Sequence, residues 1–356
     1  KSNFFPLNPE KKLTIALIGE NAIKSMTTGG GSSELKANYE VSPLEGIKKR
    51  FNNASIIFSK GYTSDSSDQD VKSLIKDALE KASQADIVLF IGGLNKNRGQ
   101  DCEAEDRKEL KLPYNQDYLI DELQKVNPNI GVLLVSGNAV SMPWLSKVKA
   151  VLQIWYLGSE AGNAIADIIS GDSNPSGKLP FSFPVKLSDN SAHFFGELSY
   201  PGDGETQYYK DDILVGYRWH DTNNIKPLFS FGYGLSYTTF KISDIKSDKK
   251  VYSDGDSLSI TYKLKNIGIN DGSEVVQVYI GKSDSKIIRA LKELKGFKKT
   301  YLSSGKETTE IITLNTSDFS FYDESISNWN LLAGRYEVYV GNSSDNISEV
   351  ISINIK

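Results

Sequence analysis

The sequence predicts an α/β sandwich with a mainly parallel sheet, followed by an all-β sandwich. The length of 356 residues exceeds what one hydrophobic core usually spans, so two domains are expected. Short apolar runs alternate with segments of helical spacing over the first half of the chain. From about residue 240 the apolar residues instead recur at every second position, which is the period of a strand with one buried face.

The elements of the first half follow in order. The run at 13–19 ends in glycine and is apolar throughout, which is typical of a buried parallel strand. Ser42 and Pro43 have the residue types of an N-cap and a first helical position. Further strands are predicted over 54–58, 87–92, 130–136 and 149–154, and helices over 68–84, 115–126 and 159–170, the last closed by Gly171. We place this α/β domain at residues 1–190.

Residues 191–240 form a segment of different character. Proline, glycine and aromatic residues abound there, and no helical period survives. Disordered segments are poor in aromatic residues, so we expect an ordered strap that lies over neighbouring surfaces.

The last segment, 241–356, predicts the β-sandwich. Its strands are expected over 257–265, 274–280, 308–314, 335–341 and 349–355. Cys102 is the only cysteine, so the segment lacks the Cys-Trp-Cys pattern of a true immunoglobulin domain. A fibronectin type III-like sandwich therefore fits better.

Composition argues against several classes of function. The net charge of −4 and the absence of a basic stripe give no electrostatic reason to bind nucleic acid. No apolar run reaches the ~18 residues of a membrane span. Two histidines and one cysteine offer no zinc-site spacing, so no metal is predicted. Gly19-Glu-Asn-Ala after the first strand is not a dinucleotide fingerprint, and no cofactor is expected.

The loop after the third predicted strand concentrates charge at the place where open parallel sheets bind ligands. It carries four carboxylates beside two arginines: Asp101, Glu103, Glu105, Asp106, Arg98 and Arg107. Neighbouring carboxylates shift one another's pKa, and this allows one of them to serve as a general acid. On composition alone, a solvated acidic loop is the simpler interpretation.

Five sequence motifs that follow one another in a fixed order favour a functional interpretation of this loop over a solvated acidic one. They are DCEAEDR at 101–107 with LPYNQ at 112–116, AVLQIWYLGSEAG at 150–162, GDSNPSGKLP at 171–180, DILVGYRW at 212–219 and FGYGLSYTTF at 231–240. In this order they resemble glycoside hydrolase family 3, and the bacterial β-glucosidases of that family in particular. Each motif alone is modest evidence, whereas five in the same order are strong evidence.

The resemblance implies a retaining β-glucosidase whose acid/base residue is Glu103, four positions before Arg107, with Glu105 as the alternative. Asp106 and Arg107 are expected to orient the loop. Ser32, in a Gly-rich loop similar to one that borders the sugar, is expected to contact substrate together with Arg98 and Asp101. The residues of the Gly29–Ser32 loop are equally compatible with a plain flexible turn.

The family's nucleophile lies in a (β/α)₈ barrel, and no such motif occurs in this sequence. We therefore expect the chain to lack the barrel, to need it in cis or in trans, and to be inactive without it. Its substrate would be a β-glucoside or a short β-glucan oligosaccharide. A face exposed by the missing barrel is expected to be apolar and could drive homodimer formation.

Two further expectations concern location and an alternative function. The segment before the first strand has no signal-peptide pattern and has the character of a cut, while the resemblance favours a periplasmic or secreted parent protein. The alternative is a non-catalytic carbohydrate-binding or scaffolding module derived from such an enzyme. Whether a barrel-coding segment lies upstream would discriminate between the two.

Overall fold

The structure, a computed structural model, describes residues 4–24, 27, 31–33, 35–65, 70–103, 105–282 and 284–356. The chain divides into two compact units, Lys1–Ser173 and Asn174–Lys356. The first is an α/β unit with a parallel sheet and the second is rich in strands, which confirms the predicted fold class. The finer domain boundaries at residues 190 and 240 stay predictions.

The sheet of the first unit has five parallel strands in the order β2-β1-β3-β4-β5. In chain order they are β1 (Thr14–Ile18), β2 (Ser55–Ser59), β3 (Ile87–Gly93), β4 (Ile130–Val135) and β5 (Ala150–Gln153). The helices are α1 (Pro43–Arg50), α2 (Val71–Ser83), α3 (Gln116–Val126) and α4 (Ala161–Ser170). All predicted elements of this half are present, although Asp68 and Gln69 of the predicted 68–84 helix lie outside the described residues.

Burial on both faces explains why the central strands are apolar throughout. Alternate residues of β1, β3 and β4 pack against α1 and α4 in one core, to which Leu17, Ile91 and Leu133 contribute from the sheet. The intervening residues face the other side, where Ile18, Ala78 of α2 and Leu119 of α3 surround Gly61. A parallel sheet covered by helices on both faces requires this pattern.

Helices α1 and α4 begin and end as their sequences predict. Ser42 caps α1 in a capping box with Glu45, and Gly171 ends α4 with φ of 85°. The two helices also approach closely at a pair of glycines: a Cβ on Gly46 would lie 2.1 Å from the carbonyl group of Gly162. Any side chain at this crossing would separate the two helices.

The second unit opens with an aromatic-rich segment, 174–240, that contains two short helices, α5 (Ser191–Phe194) and α6 (Tyr217–Thr222). Its two ends are joined by the amide of Leu179, which donates to the carbonyl of Tyr233 over 2.8 Å. Neither helix is predicted by the sequence, because four and six residues are too few to display a helical period.

The β-sandwich follows in two sheets and a hairpin. Its strands are β6 (Phe240–Ser247), β7 (Val251–Tyr252), β8 (Ser257–Asn266), β9 (Gly272–Gly281), β10 (Glu293–Leu302), β11 (Glu307–Asn315), β12 (Phe321–Asp323), β13 (Asn328–Asn330), β14 (Gly334–Gly341) and β15 (Ile347–Ile355). The sheet orders are β10-β9-β14-β15-β7 and β11-β8-β6, with β12-β13 as the hairpin. Residues of both sheets alternate into one core, as Leu258, Ile260 and Val338 illustrate.

The aromatic segment covers part of the outer face of the larger sheet. Tyr217 stacks on Phe231 with ring centroids 4.6 Å apart and meets the ring of Tyr279 on β9 at 5.8 Å. The hydroxyl of Tyr217 also accepts a hydrogen bond of 2.8 Å from the amide of Leu294 on β10. Tyr279 is fully buried as a result, although it lies on the outer face of the sandwich.

Five strands are missing from the sequence-based prediction: β6, β10, the short β7, and the hairpin strands β12 and β13. The longest of them, β10, reads as ELKGFKKTYL, and its lysines obscure the alternation. It is an edge strand with a register shift between Leu294 and Gly296, and edge strands commonly carry lysines and bulges. Among the described residues, no helix is both long and apolar enough to cross a membrane.

Candidate active site

The loops that follow the parallel strands meet at the carboxyl edge of the sheet, where open α/β sheets bind ligands. We call residues 94–107, which follow β3, the carboxylate loop. The strand ends at Gly93 with φ of 124°, and a Cβ there would lie 2.1 Å from the carbonyl oxygen of Val135. Glycine is therefore required at the point where the loop leaves the sheet.

Gln116 fixes Gly93, the residue at which the loop leaves the sheet. Its side chain is fully buried, and its Oε1 accepts the amide of Gly93 over 2.7 Å while its Nε2 donates to the carbonyl of Gly93 over 2.8 Å. The LPYNQ motif at 112–116 therefore has a structural role, which is to fix the end of β3.

The first half of the loop is organised by Tyr114. The phenol oxygen accepts a 2.6 Å hydrogen bond from Gln100 Nε2 and a 3.0 Å bond from Asn95 Nδ2. Gln100 Oε1 in turn accepts the amide of Asn95 over 2.9 Å. These contacts turn the chain back so that Asp101 reaches the neighbouring strand ends.

Asp101 anchors the loop to the turns after β4 and β5. One carboxylate oxygen accepts the amide of Gly137 over 2.6 Å and the hydroxyl of Tyr156 over 2.8 Å. The other accepts Nδ2 of Asn138 over 2.7 Å. Burial is the main cause that raises the pKa of Tyr156, and the negative charge of Asp101 adds to it.

Arg107 anchors the other end of the loop. Its Nη1 donates to Asn138 Oδ1 over 2.6 Å and to the carbonyl of Ala139 over 2.8 Å, and its Nη2 donates to the carbonyl of Glu109 over 3.0 Å. Burial lowers the pKa of Arg107, and the nearby Asp101 opposes that effect. The amide of Asn138 thus bonds to both ends of the segment 101–107.

Glu103 lies between the two anchors and is exposed. Its Oε2 accepts the backbone amide of Ser32 over 2.6 Å. Hydrogen bonding by the Ser32 hydroxyl, and then by its amide, holds the pKa of Glu103 below the usual value. Glu105 is also exposed and pairs with Cys102 through an isolated antiparallel bridge. Ala104, between the two glutamates, lies outside the described residues.

A cleft of about 550 Å³ opens beside the loop. Its lining includes Asp101, Glu105 and Arg107 of the loop, together with Lys96 and Tyr156. The Lys96 ammonium lies 4.8 Å from the centre of the Tyr156 ring, and burial lowers the pKa of this lysine. Glu105 lines this cleft, whereas Glu103 faces Ser32 beside it.

The predicted site residues therefore lie at one edge of the sheet, and their roles stay predictions. Ser32 contacts the proposed acid/base residue, Arg98 is exposed on the same loop, and the carboxylate of Asp101 is engaged by three protein donors. Asp106 is exposed next to the Arg107 anchor. Gly29 and Gly30, which form the predicted Gly-rich loop with Ser32, lie outside the described residues.

Sequence reasoning missed two residues that hold the loop, Asn138 and Tyr156. Both follow parallel strands at the same edge as Glu103, and the carboxyl-end rule applied to β4 and β5 would have drawn attention to them. Within the described part of the chain, no group of three or more His, Cys, Asp or Glu side chains is arranged to hold a metal ion.

Comparison with known proteins adds family evidence to this geometry. Residues 1–237 match the glycosyl hydrolase family 3 C-terminal domain, and residues 274–344 match the fibronectin type III-like domain. The chain is similar to Beta-glucosidase BoGH3A of Bacteroides ovatus, with 45% identity over 98% of this chain and 48% of that protein. Thermostable beta-glucosidase B of Acetivibrio thermocellus is 40% identical over 95% of this chain and 44% of its own length.

Solved structures give the same result for the fold. The family 3 beta-glucosidase of Bifidobacterium adolescentis superposes with a TM-score of 0.90 and 32% identity, over all of this chain and 50% of that one. DesR, a beta-glucosidase of Streptomyces venezuelae solved with D-glucose, superposes with a TM-score of 0.91 and 26% identity, over all of this chain and 58% of that one. The chain thus spans about half the length of the relatives it matches.

Proposed function

The chain belongs to glycosyl hydrolase family 3, and on that premise we propose that it supplies the acid/base carboxylate, Glu103, of a retaining β-glucosidase. One observation carries the proposal. Glu103 is an exposed carboxylate at the carboxyl edge of the parallel sheet, between two anchors, Asp101 and Arg107, that both bond to Asn138. A catalytic carboxylate must be accessible to substrate and yet fixed in position, and this loop provides both.

In the proposed mechanism Glu103 acts twice. As an acid it protonates the glycosidic oxygen while the bond from that oxygen to the anomeric carbon breaks, so the aglycone leaves as an alcohol. A second carboxylate, about 5 Å away, attacks the anomeric carbon and forms a glycosyl-enzyme. As a base Glu103 then accepts a proton from the water that displaces this carboxylate, which restores the starting state.

We propose that the second carboxylate belongs to a (β/α)₈ barrel domain, present in cis or in trans, that residues 1–356 do not contain. The chain spans about half of its relatives' length, which leaves room in those proteins for such a domain. Residues 1–356 alone would then be inactive. The proposed substrates are terminal β-D-glucosyl groups of β-glucosides and short β-glucan oligosaccharides.

The electrostatics of Glu103 in residues 1–356 differ from those of a general acid. A general acid requires a raised pKa, whereas the hydrogen bonds from Ser32 lower the pKa of Glu103. A domain that covers the loop would remove water from around this carboxyl, and such desolvation raises the pKa of an acid. Without such a covering domain, the hydrogen bonds from Ser32 favour the ionised form of Glu103, which is the form that acts as a base.

Glu105 remains the second candidate for the same role. It lies two residues away on the same loop, is exposed, and lines the cleft that Glu103 does not line. The experiment must therefore separate the two glutamates rather than test one of them.

Hydrolysis of aryl β-glucosides by a chimera provides that test. Residues 1–356 would be joined to the remaining half of the relative that is 45% identical, and Glu103→Gln compared with Glu105→Gln. With a poor leaving group, loss of the acid should lower kcat by about 10² to 10⁴-fold. With a dinitrophenyl leaving group, azide should restore turnover in the acid/base variant alone, because azide attacks the glycosyl-enzyme without a base.

Azide rescue of Glu103→Gln supports the proposal, and rescue of Glu105→Gln instead transfers the role to Glu105. An active chimera that neither substitution impairs would contradict an acid/base role for this loop. In that case the non-catalytic carbohydrate-binding or scaffolding module becomes the better description of the chain.

A further inference from the structure

The hairpin β12-β13 of the second unit exposes two large aromatic side chains that the fold does not use. Trp329 is 67% exposed and Tyr322 is 53% exposed. The other three tryptophans of the chain, at 144, 155 and 219, are buried or half-buried. Trp329 therefore differs from every other tryptophan of the protein in being open to solvent.

Register places the two rings on one face of the hairpin. Tyr322 and Trp329 are directly opposite each other, and directly opposed residues of an antiparallel pair project to the same side. Their ring centroids are 5.9 Å apart with planes at 83°, so the edge of one ring meets the face of the other. This contact leaves most of both side chains accessible.

The opposite face attaches the hairpin to the sandwich. Phe321 is half-buried, and its ring lies 5.8 Å from the guanidinium of Arg289, whose Nη2 donates to the carbonyl of Phe319 over 2.9 Å. Asp323 accepts Nδ2 of Asn330 across the strands over 2.8 Å. The hairpin is thus held from one side, and its aromatic side is not needed for that attachment.

The turn of the hairpin that carries the two rings is mostly polar. In the turn that joins the two strands, Glu324, Ser325 and Ser327 are exposed and polar, and Ile326 is its one exposed apolar residue. A stable protein interface buries about 1,200–2,000 Å², far more than two rings and one isoleucine can supply. The patch instead has the size of one or two sugar rings, which present C–H groups to an aromatic face and hydroxyls to polar neighbours.

We propose that Tyr322 and Trp329 form a surface site for a β-linked glucan chain, separate from the cleft beside the carboxylate loop. The choice of a glucose polymer rests on the function proposed above, whereas the platform itself rests on the exposure and register of the two rings. Such a site would hold the polymer against the protein while its ends are processed.

Affinity electrophoresis of residues 1–356 through gels that contain a soluble mixed-linkage β-glucan tests the proposal. The β-glucan should retard the chain, and Trp329→Ala should raise the dissociation constant by about tenfold or more, as loss of a central aromatic contact does elsewhere. Tyr322→Ala should have a smaller effect. Phe297→Ala is the matched control, since Phe297 is 66% exposed on β10 of the same sandwich.

The outcomes are distinct. Retardation that Trp329→Ala abolishes and that Phe297→Ala leaves unchanged supports the site. Absence of retardation, or retardation that Trp329→Ala does not alter, overturns it. Equal retardation by dextran, an α-linked glucan, or a Trp329-dependent dimer seen by light scattering, also overturns it. The assay needs no turnover, so its failure is separable from a failure of the acid/base proposal, which the chimera measures.

Discussion

Gln116 and Gly93 form a closed pair of hydrogen bonds between one side-chain amide and one backbone residue. The two bonds measure 2.7 Å and 2.8 Å, and no part of the Gln116 side chain reaches solvent. The pair lies at the position where β3 becomes the carboxylate loop. These two hydrogen bonds therefore determine how rigidly the first residues of the loop are held.

Gln116→Leu should destabilise the first unit by about 2–4 kcal/mol, because it leaves a buried donor and a buried acceptor of Gly93 without partners. Chemical denaturation of residues 1–356 would measure the loss. Gln84→Ala is the control, since Gln84 is exposed, and we expect it to stay within about 0.5 kcal/mol of the parent. Equal effects of the two substitutions would contradict a special role for the pair.

Arg107→Lys should impair the assembled enzyme more than it impairs folding. A lysine cannot reproduce the forked contacts to Asn138, Ala139 and Glu109, because it has one donor nitrogen where arginine has three. We expect kcat of the chimera to fall by about tenfold to a hundredfold, with a smaller change in KM. An unchanged kcat would show that the loop is positioned by Asp101 alone.

Ser32→Ala should raise the pKa of Glu103 toward the usual glutamate range. The Ser32 hydroxyl is the largest cause that lowers this pKa, and alanine removes it while keeping the backbone amide. Carbon-detected NMR titration of the Glu103 carboxyl in residues 1–356 would measure the shift. Ser42→Ala, which removes a different serine that caps α1 beside Glu45, should leave Glu103 unchanged.

Acid should selectively weaken the contact of Asp172 with Arg50. Hydrogen bonds from Arg50, and then from Ser170, lower the pKa of Asp172 from 3.8 to about 2. A lowered pKa stabilises the fold above the unfolded pKa, near 3.8, and that contribution is lost as the pH falls toward about 2. The pair is exposed, so Asp172→Asn should cost at most about 1 kcal/mol at neutral pH.

This cost should disappear near pH 2, where the aspartate is itself protonated. Denaturation curves of the parent and Asp172→Asn across that range would show the two converge. Asp167→Asn, on α4, removes an exposed carboxylate from the same region and is the control. A difference between parent and Asp172→Asn that persists unchanged into acid would refute the assignment.

Glu274→Gln should destabilise the second unit far more than the loss of an exposed pair does. Glu274 and Lys178 are 2.7 Å apart with side chains only 9% and 13% exposed, and removal of one partner leaves a buried charge. The expected cost is about 3–5 kcal/mol. Asp244→Asn, which breaks the exposed pair with Lys263, should have a far smaller effect in the same denaturation assay.

Local signals in the sequence predicted those helix ends that depend only on neighbouring residues. Ser42 with Pro43 marked the start of α1, and Gly171 marked the end of α4, because each acts within a few residues of itself. The place of the carboxylate loop also followed from sequence, since parallel strands order their carboxyl ends at one edge.

What the sequence could not supply depends on contacts between distant residues. The contact of Asp101 with substrate stays a prediction, but its hydrogen bonds from Gly137, Asn138 and Tyr156 could not be predicted, because these residues are 36, 37 and 55 positions away. Nothing in the DCEAEDR motif distinguishes a carboxylate that anchors a loop from one that faces a ligand. The strand β10 was missed for a similar reason, because only its edge position explains its lysines.

The shared attachment of Asp101 and Arg107 to Asn138 has a consequence for how such a loop can change over time. The two ends of the segment share one side chain as a partner, so their separation is set by contacts outside the segment as well as by the residues between them. A change in the length of this segment would therefore move the proposed acid/base carboxylate, while the scaffold beneath it stays constant. Asn138→Asp would repel Asp101 while still accepting from Arg107, and it would leave Asp101 with its contacts to Gly137 and Tyr156.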